Sequence, residues 1–470
     1  MAAAVAGLEL FGSITRVPQR AGAATTPPDI QFDIGPVSAA PRTSDTGVVF
    51  GMPPVHTVFL TARLLRTPTA ADSTTLNRAL TTIEANWNYS AAEMIIFISY
   101  GLPYFNRLPA ATVAANMPRL LSNNSRFALE EAVPSPTDVS PQNPNISKLR
   151  FNVPVQIENN DILFTFRSDN PSYVQEVLNW FGGSNTLRGH SIASPNWSGL
   201  LTFTSTRHMF VQIGMPQAVA QQNHLGFANF VQHQSPMWMG FADQQTNGAG
   251  PAPACTFAGN SSARLTNATP GSYFDNGAIQ HLSHDILDML QWFDMDSPTT
   301  PPDDDGVFTE RVQYMFHAPE INKGNSDQFT DGGGPAFLQN ENRGSGYAAR
   351  TAQGVGTNNN EHRMGHLSTL QRSSRAGDGT PLHIRMDGPG FDNMDVPGGT
   401  SQPKLQFTIF VPTSDFFTTM RRNQASLDLA QANNVPETDN GLERFITATR
   451  RQNFLIPPRR HRIFPLRELG

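Results

Sequence analysis

The sequence predicts an α+β fold in which two ferredoxin-like modules with antiparallel sheets pack as one unit. Two observations carry this prediction. Stretches with period-2 apolar alternation give way to stretches with helical apolar spacing and then to strands again, and this order recurs along the chain. No helical stretch is long enough for a bundle, so the helices must cover sheets.

The first module opens at His56–Leu65, where Val58, Leu60, Ala62 and Leu64 alternate on one face of a strand. Leu76, Leu80, Ile83 and Trp87 then mark an amphipathic helix, and Met94–Ser99 is the next strand, ended by Gly101 and Pro103. The grammar repeats from Asp161. Ile162–Phe166 is a strand; Asp169 or Asn170 caps a helix with Pro171 at its start; Val174, Val177, Leu178 and Phe181 line its buried face; and Gly182-Gly183 stops it. His208–Ile213 is the following strand. Late in the chain Leu405, Phe407, Ile409 and Val411 alternate, and Ser414 or Asp415 caps a helix carrying Phe416, Phe417, Met420 and Leu427. The expected organisation is an N-terminal arm at 1–50, a first module at 51–215, a second at 216–430 and a basic arm at 431–470.

Composition narrows the chemistry. The 470 residues include one cysteine, Cys255, which excludes a disulfide framework, a cysteine zinc site and an iron–sulfur cluster supplied by this chain alone. With 33 basic and 39 acidic residues the net charge is −6, a poor basis for binding nucleic acid. No apolar run reaches the roughly 18 residues that a membrane-spanning helix needs. The small, apolar start and the run Ala21–Ala24 fit either the remnant of an export signal or a short alanine-rich arm. The tail from Arg450 to Arg467 reads as a solvated arm or as a patch for an anionic partner.

Four segments carry candidate chemistry. Met239–Gly248 places Asp243 three residues after Gly240 in a turn. Gly277–Asp294 reads as a helix with Ile279, Leu282, Ile286, Met289, Leu290 and Phe293 on its apolar face; His281/Asp285 and His284/Asp288 then stand at i, i+4, as surface pairs or as partial metal sites. In Glu361–Arg385, His366 opens an amphipathic stretch and Arg385 ends a strand-like run 19 residues later. Met386–Phe391 is a Gly/Pro turn that fixes the backbone beside Arg385.

Taken together, Gly240-Phe241-Ala242-Asp243, His366, Arg385 and the turn after it resemble the haem site of the dye-decolourising peroxidase superfamily. TRHMFVQIGMP (Thr206–Pro216), SPMWMGF (Ser235–Phe241), GAIQHLSHDILDMLQWF (Gly277–Phe293) and the terminal RRQNFLIPPR (Arg450–Arg459) are similar to segments of a divergent bacterial branch whose members often carry export signals. Gln244 stands where the family has a second glycine, and the turn after Arg385 lacks the family's asparagine. The resemblance implies a fold of the dimeric α/β-barrel type that holds haem b between a sheet and helices. It implies His366 as the axial iron ligand, Asp243 and Arg385 as the distal pair, and Gly240, Phe241 and His281 near the cofactor. It further implies oxidation of an organic donor by hydrogen peroxide, self-association and export, or haem binding on the same fold with little turnover. Trp238 and Trp292 are candidate electron relays, or core aromatics.

Overall fold

The computed structural model describes residues 11, 13–15, 26–37, 42–43, 49–50, 53–233, 235–239, 252–259, 264–295, 382–425, 427–435 and 442–470. The first module runs β1 (His56–Leu64), α1 (Ala70–Asn86), β2 (Ile95–Gly101), the short α2 (Leu102–Phe105) and α3 (Ala110–Asn116), β3 (Ile162–Ser168), α4 (Pro171–Phe181) and β4 (Leu201–Phe210). After α5 (Met215–Gln222), the second module runs β5 (Ala278–Leu287), α6 (Met289–Trp292), β6 (Ile384–Arg385), β7 (Gly388–Asp392), β8 (Gln402–Val411), α7 (Ser414–Ala425), α8 (Leu427–Asn433) and β9 (Ile446–Ile456). The connection from β5 to β6 passes through residues 296–381, which lie outside the described residues.

Local chemistry sets the helix ends. Thr69 and Asp72 form a reciprocal capping box at the start of α1, and Arg66 forks onto the Asp72 carboxylate at 2.6 and 2.9 Å. Asn170 caps α4 by accepting from the Ser172 amide, with Pro171 at the first helical position.

One ten-stranded sheet joins the modules in the order β6-β8-β5-β9-β2-β3-β1-β4, with β7 also beside β8 and the short strand Gln156–Ile157 beside β9. Within the first module the order β4-β1-β3-β2 is that of a ferredoxin-like unit. The second repeats it as β9-β5-β8-β6, so two copies of one topology meet where β9 pairs with β2. The free ends of the sheet curl toward each other. A Cβ on Gly388 would stand 2.7 Å from Val211 Cγ2, and one on Gly390 would stand 2.9 Å from the His208 carbonyl oxygen, so β7 can lie against β4 only because both positions are glycine. Phe59, Phe97, Leu282, Phe410 and Phe454 fill the inside of this barrel-like sheet. Its outer face is covered by α1 and α4 (Leu76, Leu80, Val174, Phe181) and by α7 (Phe416, Phe417, Met420).

Three expectations change. Gly277–Asp294 is not a helix: its first ten residues are β5, a central strand buried along its whole length, and only Met289–Trp292 is helical. With both faces covered the strand shows no clean alternation, and Ile279, Leu282 and Ile286 mimic helical spacing. The stretch 431–470 is not an arm around the fold. It supplies β9, the fourth strand of the second module, whose arginines are paired inside: Arg450 with Asp395 and Arg451 with Asp138. Of the strand expected at His208–Ile213 only His208–Phe210 is strand, the end of a longer one that begins at Leu201. Among the described residues no helix is long and apolar enough to cross a membrane.

Candidate active site

Antiparallel register places residues on neighbouring strands in rows that share a face. Arg385 on β6, Ile409 on β8, His281 on β5 and Asn453 on β9 form one row. Phe407, Ser283 and Arg451 form the next, and Pro389, Leu405 and Asp285 the one after. This is the helix-covered face of the second module, and between it and α7 lies a cleft whose empty space, mouth included, is about 980 Å³.

The sheet wall of the cleft presents Arg385, Asp387, Ser283, Asp285 and Arg451, and α7 presents Met420, Arg421 and Gln424. Met237, Trp238 and Met239 close one side. Trp238 Nε1 donates to the Gly390 carbonyl at 3.0 Å, which anchors this segment on β7 immediately before Gly240. Apolar walls with a few convergent charged groups are the usual make-up of a cofactor site.

Buried charge stiffens the floor. Arg451 donates from Nε and Nη2 to both Asp138 oxygens at 2.7 and 2.8 Å, and Arg421 reaches Glu443 at 3.3 Å. Burial alone would raise the Asp138 carboxyl, but the guanidinium groups of Arg451 and Arg421 outweigh it and hold the group at about 2. Asp285 behaves in the opposite way: burial raises it, against the pull of Arg451 and Arg421.

Of the expected site residues, Arg385 lies on the cleft wall. His281 shares its row, but its ring lies against Phe417, with centroids 3.3 Å apart, under α7. Its Nδ1 donates to Asn453 Oδ1 at 2.7 Å, Nε2 has no hydrogen-bond partner among the described residues, and burial drives its pKa far below the ordinary value, so the imidazole is neutral. His284, expected beside it on a helix, points to the other face and meets Asp392 at 3.3 Å inside the barrel. Among the described residues no three His, Cys, Asp or Glu side chains are grouped to hold a metal ion. His366, Asp243, Gly240 and Phe241 lie outside the described residues. Trp238 and Trp292 are wholly buried core residues.

Sequence reasoning missed Ser283, Arg421 and Arg451 as cleft residues and misplaced Asp285. The signal was present as a period-2 series, His281, Ser283 and Asp285, which the helical reading obscured.

The donor set suits haem. A flat macrocycle needs apolar walls and its propionates need cationic donors; the cleft offers Trp238, Met239, Phe407 and Met420 as walls and Arg421 as a cation, with Arg385 on the sheet side. Attachment of a haem through two thioethers needs two cysteines, and the chain has one, the buried Cys255.

Several solved structures are similar to this chain. A dye-decolorizing protein from V. cholerae is 12% identical, with 86% of this chain and 94% of that chain covered and a TM-score of 0.44. A DypB variant from Rhodococcus jostii RHA1 in complex with heme is also 12% identical, over 87% and 94%, with a TM-score of 0.48. A dye-decolorizing peroxidase from Bacteroides thetaiotaomicron is 13% identical, over 87% and 94%, with a TM-score of 0.45. No curated protein matches the sequence. Residues 128–458, which span the cleft and all of the second module, match one family along their length, and the chain belongs to that family, the family of unknown function DUF7405.

Proposed function

We propose that the chain is a haem-dependent peroxidase-like oxidoreductase that binds haem b in the cleft between the second module's sheet and α7. The observation that carries this reading is Arg385 on the wall of an apolar cleft that Met237–Met239 closes directly before Gly240 and Asp243. Bound haem supplies the two-electron chemistry that reduces hydrogen peroxide and then oxidises an organic donor. The chain supplies position and polarity. Arg385 cannot deprotonate, so it would offer fixed donors to hydrogen peroxide and to negative charge developing on its oxygens in the cleft. Asp243 takes and returns the proton, a role that needs a carboxylate within one water of the peroxide. His366 would hold the haem iron; His281, the other candidate imidazole on this sheet, is packed under α7 against Phe417 in the row of Arg385. Self-association and export from a bacterial cell belong to this reading and rest on sequence resemblance.

The test is peroxide-dependent oxidation of an anthraquinone dye by the haem-loaded protein. Arg385→Leu is expected to lower kcat/KM by about 10²–10³, the usual effect of removing one preorganised donor. A variant that matches wild type would rule out this role for Arg385. A protein with the haem spectrum and no dye oxidation would instead be a haem carrier.

A further inference from the structure

A second cavity opens at one end of the barrel-like sheet, on its inner face, and its volume, mouth included, is about 1050 Å³. Arg385 and Asp387 border both this cavity and the cleft. Two inner-face rows supply its walls. Met209 on β4, Thr57 on β1 and Arg167 on β3 stand in register, as do Ile384 on β6 and Phe410 on β8. Residues Phe32–Gly35 form another side. That segment is held in place: Gln31 Nε2 donates to the Pro457 carbonyl at 2.7 Å and to the Ile98 carbonyl at 3.2 Å, Tyr89 Oη donates to the Asp33 carbonyl at 3.1 Å, and Phe32 stacks on Phe410 with ring centroids 4.5 Å apart.

The lining selects a class of ligand. Phe32, Phe410, Met209, Met386 and Ile384 make apolar walls, and rings beside polarisable thioethers suit a flat aromatic group. The charges are sorted by depth. Arg167, only 1% exposed, is a cation that cannot deprotonate, and its Nε donates to Thr57 Oγ1 at 3.0 Å. Asp33, Asp387 and Arg385 are half-buried, nearer to the surface. We propose that this cavity is a binding site for a small aromatic carboxylate, with its ring against the phenylalanine and methionine walls and its carboxylate toward Arg167. A planar guanidinium favours a carboxylate through charge-assisted hydrogen bonds, whereas an ammonium head in the same place would set two positive charges together where the dielectric is low. The site is separate from the cleft and its occupancy requires no haem.

The test is calorimetric titration of the full chain with benzoate and with benzylamine, each with and without haem. Benzoate is expected to bind one per chain in both conditions, and benzylamine about 10-fold more weakly or worse. Arg167→Gln is expected to weaken benzoate by about 10-fold or more, the effect of losing a hydrogen bond to a charged group. Asp33→Asn removes a negative charge near the mouth and should tighten benzoate. Ala252→Trp, which fills the cavity from an uncharged side, should abolish binding. No saturable benzoate binding in wild type, equal binding of the two probes, or wild-type affinity in Ala252→Trp would overturn the assignment. Benzoate binding that haem abolishes would place the probe in the cleft and overturn it as well. If Arg167→Gln does not fold, unchanged benzoate affinity in both Asp33→Asn and Ala252→Trp overturns it. A chain that binds benzoate as expected but takes up no haem would contradict the peroxidase reading and support this one.

Discussion

Arg451 shows how a single side chain ties the cleft to the rest of the molecule. Its guanidinium is 1% exposed, lines the cleft and grips both oxygens of Asp138, which lies on the long connection between α3 and β3. Removing one member of a buried pair strands the other, at a cost of about 3–5 kcal/mol. Arg451→Met is therefore expected to lower unfolding free energy by about that amount in urea titrations; a loss under about 1 kcal/mol would mean that Asp138 finds another partner. The pH dependence follows from the Asp138 carboxyl, held at about 2 in the folded protein. A depressed carboxyl stabilises the fold fully above its unfolded value of about 4, and that stability is lost as pH falls through about 2. Wild type should lose more stability than Arg451→Met across this window. At this scale legibility was uneven. Arg385 could be found because it ends a strand-like run, a local pattern, although the Gly/Pro stretch read as a tight turn at Met386–Phe391 continues as strand β7 from Gly388. Arg451 and Asp138 could not, because their partnership spans 313 positions and a run of arginines in a tail looks solvated until a strand pairing buries it.

The elements were readable where one face is covered and obscure where both are. β1 and β8 alternate, α1 and α4 carry apolar stripes between caps, and all four lie where the periodicity predicts. β5 does not alternate, because α7 covers one face and the barrel interior the other. Its polar residues are met individually: Gln280 by Ser99, His281 by Asn453 and His284 by Thr449. The approach of β7 to β4 gives the prediction that belongs at this scale. A methyl group at position 390 would meet the His208 carbonyl oxygen, a backbone atom that cannot rotate away. Gly390→Ala should therefore destabilise the protein by about 1–3 kcal/mol, as overpacking does, with a matching fall in Tm by calorimetry. An unchanged Tm would mean that the two strands do not touch.

In the whole molecule the same strand order occurs twice, and the two copies meet through β9 and β2 while β7 and β4 approach on the far side. That arrangement explains why both modules share one continuous sheet among the described residues, and why the strand Ile446–Ile456 is central to it. It also brings residues from β5, β6, β8, β9 and α7 to one cleft, so no short motif could have outlined the site. The central claim is that this cleft binds haem through His366. Its most direct test is the absorption spectrum of the purified protein titrated with haem, wild type beside His366→Ala. The account predicts a Soret band that saturates at one haem per chain in wild type and is lost or clearly shifted in the variant. No saturable band in wild type, or the same band in both proteins, would contradict it.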